Sequence, residues 1–464
     1  MIEDHSNTIT TLKKYTDRKS RNKNLAKDFC RESRNQDSAL TMDTDESCAY
    51  TQIFLKEQSK NDHMTLIITD KKSVSSMIKE KSDNELIIIV NNKMESSASI
   101  QNDVGILYLN IRNPKNFQNS LSSHLNGQKT AMIRFELNSN FPLRYLTEVL
   151  LHLTETITQS RHTYIFSSKP GYGRANAFAL GFAKSLSAEL YPKVRYEWNF
   201  ILQKIPNLKN FIKNLSKKSL HMNEENLKER WLITGGLGGI GWQMAKFIAF
   251  NRNVSHLILL GRKQPNEMQR QEIRQIRDRV NVDVRAVSVD LTSKMQMKEF
   301  FKKLQITLTS IIHSAGCLHD ALASRQNLST FRLVTEAKCD GLLILEKLCR
   351  SHPIKHFIVN SSVSAVIGNQ GQCNYSAANA FIDEIMLERR TKRLPATIIN
   401  WGNWLETGMA VKANKILNKM GFIGLKTKNA MNYLQIAIDQ APIRMIVVRL
   451  DIRKIANYRP DLTN

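Results

Sequence analysis

The chain has 464 residues, room for about three domains at some 150 residues each, or for two and a tail. With 42% hydrophobic and 23% charged residues, it has a globular composition that excludes disorder over its whole length. The 67 Lys and Arg against 42 Asp and Glu leave a net charge of +25; this suits polyanions such as nucleic acid, anionic membrane or an acidic carrier protein, or else reflects a lysine-rich genome, and no basic block interleaved with aromatics singles out nucleic acid.

Residues 1–48 are rich in Lys, Arg, Asn, Ser and Asp and read as a polar tail or linker. Within them Asp37-Ser38-Ala39-Leu40 lacks a flanking helix pattern and is read as linker too. From about Tyr50 short apolar runs recur at Met64–Thr69, Glu85–Val90, Gly105–Ile111, Thr130–Glu136 and His162–Ser167, separated by polar stretches or by helical patterns such as Leu143–Ile157. Strand alternating with helix predicts an α/β unit with a parallel sheet over 49–206. The lysine-rich stretch 207–229 reads as a connector.

A second unit, 230–464, starts with a strand at Trp231–Thr234, then a glycine loop and a helix over Ile240–Phe250. Further strands are expected at His256–Leu260, Asp283–Val289, Thr309–Ile312, Lys355–Asn360, Ala396–Asn400 and Arg444–Leu450, with a helix at Tyr375–Arg390. Strands and helices of these lengths make a doubly wound sheet, whose ligand crevice lies beyond the strand C-termini. No apolar run approaches the roughly 20 residues that span a bilayer, and the N-terminus has no apolar leader core. The six cysteines (Cys30, Cys48, Cys317, Cys339, Cys349, Cys373) form no CxxC pair. A cytoplasmic, reducing setting without membrane or metal site is the expectation.

The loop Gly235, Gly236, Leu237, Gly238, Gly239, Ile240, Gly241 follows a strand and opens a helix. Glycines permit the tight turn and let backbone approach a pyrophosphate, and the helix N-terminus offers free N–H groups to the anion. Arg262 stands 21 residues beyond Gly241, where a site for NAD usually has an acid. An arginine there suits a 2′-phosphate and points to NADPH, against a plain surface arginine. Asp290 ends the third strand beside Leu291 and is read either as an adenine acceptor or as a helix cap. The small residues Ser314, Ala315 and Gly316 end the fourth strand and let a ribose or ring pass close, or simply form a turn.

The decisive cluster is Ser361-Ser362-Val363 followed by Tyr375-Ser376-Ala377-Ala378-Asn379. Four-residue spacing puts Tyr375 and Asn379 on one helix face. Reduction of a ketone needs a hydride at carbon and a proton at oxygen; a tyrosine hydroxyl can supply the proton and a serine can hold the carbonyl. The tyrosine pKa is expected to be lowered by a nearby cation, for which Lys338 is the candidate. Each of these residues taken singly is more often structural.

With the order Lys338…Ser362…Tyr375-x-x-x-Asn379 and the spacings 362 − 338 = 24 and 375 − 362 = 13, residues 230–455 resemble the catalytic subdomain of polyketide synthase ketoreductases. These form a branch of the short-chain dehydrogenase/reductase superfamily. Asn at position 379, where ordinary short-chain dehydrogenases carry Lys, favours the synthase branch. The glycine loop, Arg262, Asp290, the 313–316 segment and Trp401-Gly402-Asn403-Trp404 fall where the family has them. The resemblance implies an α/β fold of two Rossmann-like doubly wound subdomains, the first degenerate and structural, the second catalytic and NADPH-binding. It implies a lid over 405–424, and a substrate-side role for Asp320, Trp401, Gly402 and Trp404. Leu318-His319-Asp320 keeps the last acid of a Leu-Asp-Asp motif, and position 367, eight before Tyr375, is Ile rather than Trp; both point to the D-configured hydroxyl.

An internal echo, Tyr172 to Asn176, repeats the tyrosine–asparagine spacing, but Ser168 lies only 4 residues before Tyr172 and no glycine loop follows Met64–Thr69. The first half is therefore read as structural, with the broad apolar face of 177–190 packing on the second. The wording of 181–189 looks most like synthases whose acyltransferase acts in trans. No ketosynthase, acyltransferase or carrier motif is found in these residues, so the expectation is a lone reductase didomain, a fragment or a subunit acting in trans. The implied reaction is NADPH-dependent reduction of a β-ketoacyl thioester on a phosphopantetheinyl acyl carrier protein, with other synthase modules or domains as partners. A free-standing ketone reductase and a non-catalytic module are the alternatives.

Overall fold

The computed structural model describes residues 130–137, 141–160, 163–167, 173–196, 228–459 and 462, together with backbone strands at 64–69, 85–91, 97–101 and 104–110. The tail at 1–48, Cys30, Cys48, Ser168, Tyr172 and all of the connector but its last two residues lie outside the described residues.

The first sheet contains β1 (Met64–Thr69), β2 (Glu85–Asn91), β3 (Ser97–Gln101), β4 (Val104–Asn110), β5 (Thr130–Glu136), β6 (Thr163–Ser167) and β7 (Val194–Tyr196). Their spatial order is β3-β4-β2-β1-β5-β6-β7. All neighbours are parallel except β3, which pairs antiparallel with β4. Helix α1 (Leu143–Gln159) buries Leu146, Val149, Leu150, Leu153 and Ile157, a stripe at helical spacing. Helix α2 (Arg174–Leu190) carries the echo's Asn176, whose amide exchanges two 2.9 Å hydrogen bonds with the backbone of Leu137. The asparagine of the echo thus ties a helix to the end of β5.

The second unit runs β8 (Glu229–Thr234), α3 (Gly239–Asn251), β9 (Val254–Gly261), α4 (Glu267–Val280), β10 (Asp283–Ser288), α5 (Lys294–Lys303) and β11 (Ser310–His313). It continues through α6 (Leu328–Thr335), a π-helical turn (Glu336–Asp340), α7 (Gly341–Leu348), β12 (His356–Ser362), α8 (Val363–Ile367), α9 (Cys373–Thr391) and β13 (Thr397–Trp401). It closes with α10 (Asn414–Lys419), β14 (Phe422–Ile423), α11 (Thr427–Gln440), β15 (Arg444–Val447), β16 (Arg449–Leu450) and α12 (Ile452–Tyr458). The strand order is β10-β9-β8-β11-β12-β13-β15, all parallel. Strands such as β11 and β13 are buried along their whole length, which is why they read as continuous apolar runs. The expected seventh strand divides at Val448: β15 stays in the sheet while β16 leaves it to pair antiparallel with β14.

The sheet order reverses between β8 and β11, so the crevice opens beyond the ends of those two strands. The two halves meet where α2 lies on α9. A Cβ on Gly181 would stand 2.5 Å from the Ser376 carbonyl oxygen, so the helices approach backbone to backbone. Phe178 and Phe182 pack on Phe331 at 6.2 and 5.9 Å, and Phe178 meets Phe381 edge-on at 6.4 Å. Burial of each ring contributes about 1.5–3 kcal/mol. The apolar face expected on 177–190 is buried as anticipated.

Candidate active site

The loop after β8 turns because Gly235 adopts φ +66° with its N–H bonded to the Leu260 carbonyl at 2.7 Å. A Cβ there would lie 2.8 Å from the Ser314 carbonyl oxygen. A Cβ on Gly241 would strike the Gly235 carbonyl oxygen, so only glycine lets α3 start this close to the turn. No side chain caps α3, which leaves its first N–H groups free for an anion. Gly235, Gly238, Gly239, Ile240 and Gly241 line a cavity of about 310 Å³. Gly236 and Leu237 face away from it. Gly236 is pressed between Ile233 and Leu259, and the Leu237 carbonyl accepts from Gln269 at 2.9 Å.

Around this loop the cofactor-side candidates divide. Ser314 and Gly316 line the cavity, and the Ser314 N–H bonds the Thr234 carbonyl at 3.0 Å, holding β11 beside β8. Ala315 backs onto Gly235. Arg262 follows β9 with an exposed side chain, outside the cavity lining; burial raises the Cys317 thiol pKa, and the Arg262 charge opposes that rise. Asp290 spends one carboxylate oxygen on the Thr292 N–H and hydroxyl, both at 2.9 Å, within a local turn; the helix-cap reading is corrected, because Ser293 caps α5 by accepting from the Gln296 N–H. Leu291 departs from its expected place at the cofactor: its side chain is 6% exposed and lies in the apolar core.

The same cavity is lined by Lys338, Ser362, Tyr375 and Asp320. Ser362 ends β12 and caps α8, its Oγ accepting from the Ser364 N–H at 3.1 Å and the Ser364 hydroxyl at 3.0 Å. Both lone pairs are then used, so its own O–H is the donor in its hydrogen bond with the Tyr375 hydroxyl. Lys338 sits on the π-helical turn, its stem passing Gly316 and its ammonium donating to the Asn360 carbonyl at 3.1 Å. Burial lowers its pKa to about 8. The ammonium is 5.4 Å from the centre of the Tyr375 ring. Asn379 lies behind the tyrosine, outside the cavity lining, with Nδ2 bonded to the Tyr375 carbonyl at 2.8 Å and a buried Oδ1 that has no partner.

The expected lowering of the Tyr375 pKa is overturned in this state. Burial pushes the phenol up to about 12, with the Asp320 carboxylate adding to the rise and hydrogen bonding to Asn379 and Ser362 opposing it. The lysine is itself depressed and faces a carbonyl, so its cation is a weak counterweight. The hydroxyl therefore keeps its proton through the neutral range.

His313, which the sequence offered only as part of a strand end, is buried with Nδ1 at 2.9 Å from Thr234 Oγ1 and Nε2 at 3.2 Å from the Lys338 carbonyl. Burial drops its pKa to about 3, so it is a neutral strut between β8 and the lysine turn. On the substrate side Asp320 accepts from Gln372 at 3.0 Å. His319 contributes its carbonyl, bonded by Asn374 at 2.9 Å, while its exposed side chain stays outside the cavity lining. A histidine in the middle of that motif is accommodated for this reason.

Trp401, Gly402 and Trp404 line the opposite wall. Trp401 commits its indole N–H to Asn360 Oδ1 at 2.9 Å. Trp404 crosses it edge-on at 5.2 Å and keeps a buried, unpartnered Nε1–H. The segment 405–424 starts against the glycine loop, where a Cβ on Gly239 would meet Thr407 Oγ1 at 2.5 Å. Asn360, Gln372 and Thr407 had no pattern of their own in the sequence; only the strand and helix ends that hold them were visible.

A doubly wound sheet with a glycine loop at its switch point and a Ser–Tyr–Lys cluster in the same cavity is the arrangement of a dinucleotide-dependent reductase. Residues 230–406 match the family model of the KR domain. Over 226 residues, 46% of the chain, it is 32% identical to the spectinabilin polyketide synthase system protein NorB of Streptomyces orinoci, covering 10% of that protein. It is 31% identical over 230 residues, 45% of the chain, to polyketide synthase PksL of Bacillus subtilis, covering 5% of it. The chain thus spans a tenth or less of the length of these relatives. The fold is shared with an A1-type ketoreductase (TM-score 0.69, 15% identity, 89% of this chain and 94% of that one). It is shared likewise with the first ketoreductase of the tylosin synthase (TM-score 0.64, 20% identity, 87% and 94%).

Proposed function

We propose that this chain reduces a β-ketoacyl thioester, carried on the phosphopantetheine arm of an acyl carrier protein, to the D-configured β-hydroxyacyl thioester in polyketide synthesis, with NADPH as reductant. The observation that carries the reading is that Ser362, Tyr375 and Lys338 share one cavity with the glycine loop. The residues fit such a cofactor: Gly235 and Gly241 leave a cradle that a Cβ would fill, and the uncapped start of α3 faces it. Gly238, Gly239 and Ile240 would hold the pyrophosphate, Arg262 the 2′-phosphate, Asp290 the adenine, and Ser314 and Gly316 the ribose side. The bound cofactor supplies the hydride to the carbonyl carbon.

In this reading the Ser362 hydroxyl donates to the substrate carbonyl oxygen and the Tyr375 hydroxyl gives it a proton. The protonated Lys338 offsets the phenolate left behind, and Asn379 steadies the tyrosine from its own helix. Asp320, Gln372, Gly402 and the free Trp404 N–H shape the wall against which the acyl thioester lies. The net charge of +25 suits an acidic carrier protein, and the neighbouring domains of a polyketide synthase are the natural partners.

The test is the loss of NADPH absorbance with a β-ketoacyl thioester surrogate, wild type beside Tyr375→Phe, with chiral analysis of the product. Consumption that vanishes in the variant and yields the D-hydroxy product supports the proposal. Full turnover by Tyr375→Phe overturns it.

A further inference from the structure

Helix α2 belongs to the half without a glycine loop, yet three of its side chains reach the segment between Ser362 and Tyr375. Lys184 Nζ donates to the Ala365 carbonyl at 3.2 Å, and Ser185 Oγ accepts from the Asn369 N–H at 3.1 Å. Glu189 does more. One carboxylate oxygen accepts from the Gly371 N–H at 3.0 Å and the other from the Ala323 N–H at 2.8 Å. Those amides belong to two separate loops. The first holds Gln372 and the second follows Asp320, two cavity-lining residues that are themselves joined at 3.0 Å. A backbone bond from the Ala321 N–H to the Gly371 carbonyl, 2.9 Å, completes the bridge. From the other side, Arg459 donates to the Gly368 and Ile367 carbonyls at 3.1 and 2.6 Å.

We propose that Glu189 is a positioning residue for the substrate wall of the reductase site: by clasping the Asp320 loop to the Gln372 loop, it fixes the face that orients the keto group relative to Tyr375. The inference rests on the reductase reading above. Glu189 is not among the residues lining the cavity, so it acts through Asp320 and Gln372. Its chemistry fits the task. Two N–H donors arrive from different loops, and a carboxylate accepts on both oxygens, whereas glutamine accepts on one and turns an NH₂ group toward the other donor. Charge-assisted bonds to backbone N–H groups are stronger than neutral ones.

The experiment compares wild type, Glu189→Gln and Glu189→Ala by steady-state kinetics with the thioester surrogate, by chiral product analysis and by hydrogen exchange of the full chain. In Glu189→Ala the substrate KM is expected to rise about tenfold, the scale of one lost charge-assisted bond. The product becomes a mixture of hydroxyl configurations, the NADPH KM holds, and exchange quickens at 320–323 and 369–372 only. Glu189→Gln falls between. Unchanged KM, product and exchange overturn the proposal. So does a joint loss of kcat and NADPH affinity with exchange rising across β8–β12, which marks a merely structural role. Should the alanine variant not fold, the glutamine variant decides by the same readouts. If wild type consumes no NADPH, it is the reductase reading that fails, and the exchange pattern alone still tests the clasp.

Discussion

The Lys338 ammonium lies 5.4 Å from the centre of the Tyr375 ring while giving its hydrogen bond to the Asn360 carbonyl at 3.1 Å. With no hydrogen bond spent on the tyrosine, the cation can assist it only through space, and only while it is charged. With burial holding its pKa at about 8, Lys338 is protonated below that pH and neutral above it. Ketone reduction is expected to decline as pH rises through about 8. Lys338→Met lowers the rate by about 10²-fold, the low end of a proton-transfer contribution, and loses that inflection. A pH–rate series on both proteins checks this; an inflection that persists in Lys338→Met assigns it to another group.

Arg262 is exposed beside the end of β9, so it is removable without disturbing the core. Arg262→Ala is expected to raise the KM for NADPH by about tenfold or more, as one charged contact to a phosphate goes, with the KM for NADH unchanged. Parallel titrations with the two cofactors decide it, and an equal rise for both would place Arg262 elsewhere.

Gly241→Ala puts a Cβ onto the Gly235 carbonyl oxygen. The turn must open, at about 1–3 kcal/mol for overpacking, and the cradle for the pyrophosphate is spoiled. The expected outcome is a lower melting temperature and loss of NADPH fluorescence enhancement on mixing. Normal cofactor binding by this variant would show that the loop tolerates a side chain.

Lys184 is buried, and burial lowers its pKa to about 7, with Arg444 adding to the fall and Asp383 opposing it. An unfolded lysine holds its proton to about pH 10.4. Between these values the unfolded chain binds more protons than the folded one, so this residue makes stability rise with pH, by up to about 1.4 kcal/mol per unit. Lys184→Met is expected to flatten that rise between pH 7 and 10, and to gain most over wild type below pH 7. Urea midpoints at several pH values measure both slopes, and identical slopes refute the assignment.

Much of the second sheet was legible because its strands are apolar on both faces and stand between turn residues. The glycine loop was legible because chain order fixes strand, turn and helix together. Other features carry no local signal. β3 (SASIQ) has little apolar character, and its place comes from pairing with β4. β7 spans three residues. The kinship of Ser362, Tyr375 and Lys338 could be read from spacing, but the raised Tyr375 pKa could not, since it depends on what covers the ring. The Gln372–Asp320 and Glu189–Gly371 bonds join residues 52 and 182 positions apart, and no periodicity reports such contacts.

The contact between α2 and α9 has one more consequence. Leaving aside the hairpin strand β3, the first sheet has the order third, second, first, fourth, fifth, sixth, and the second sheet begins the same way. Counted like this, α2 and α9 each follow the fifth strand, so they are equivalent elements set face to face. That is how an isologous dimer is built, with the same patch on both partners. Here one chain supplies both copies. The face of α9 is covered from within, no second molecule is needed to bury it, and the half that covers it also bonds the segment 365–371 through Lys184, Ser185 and Glu189.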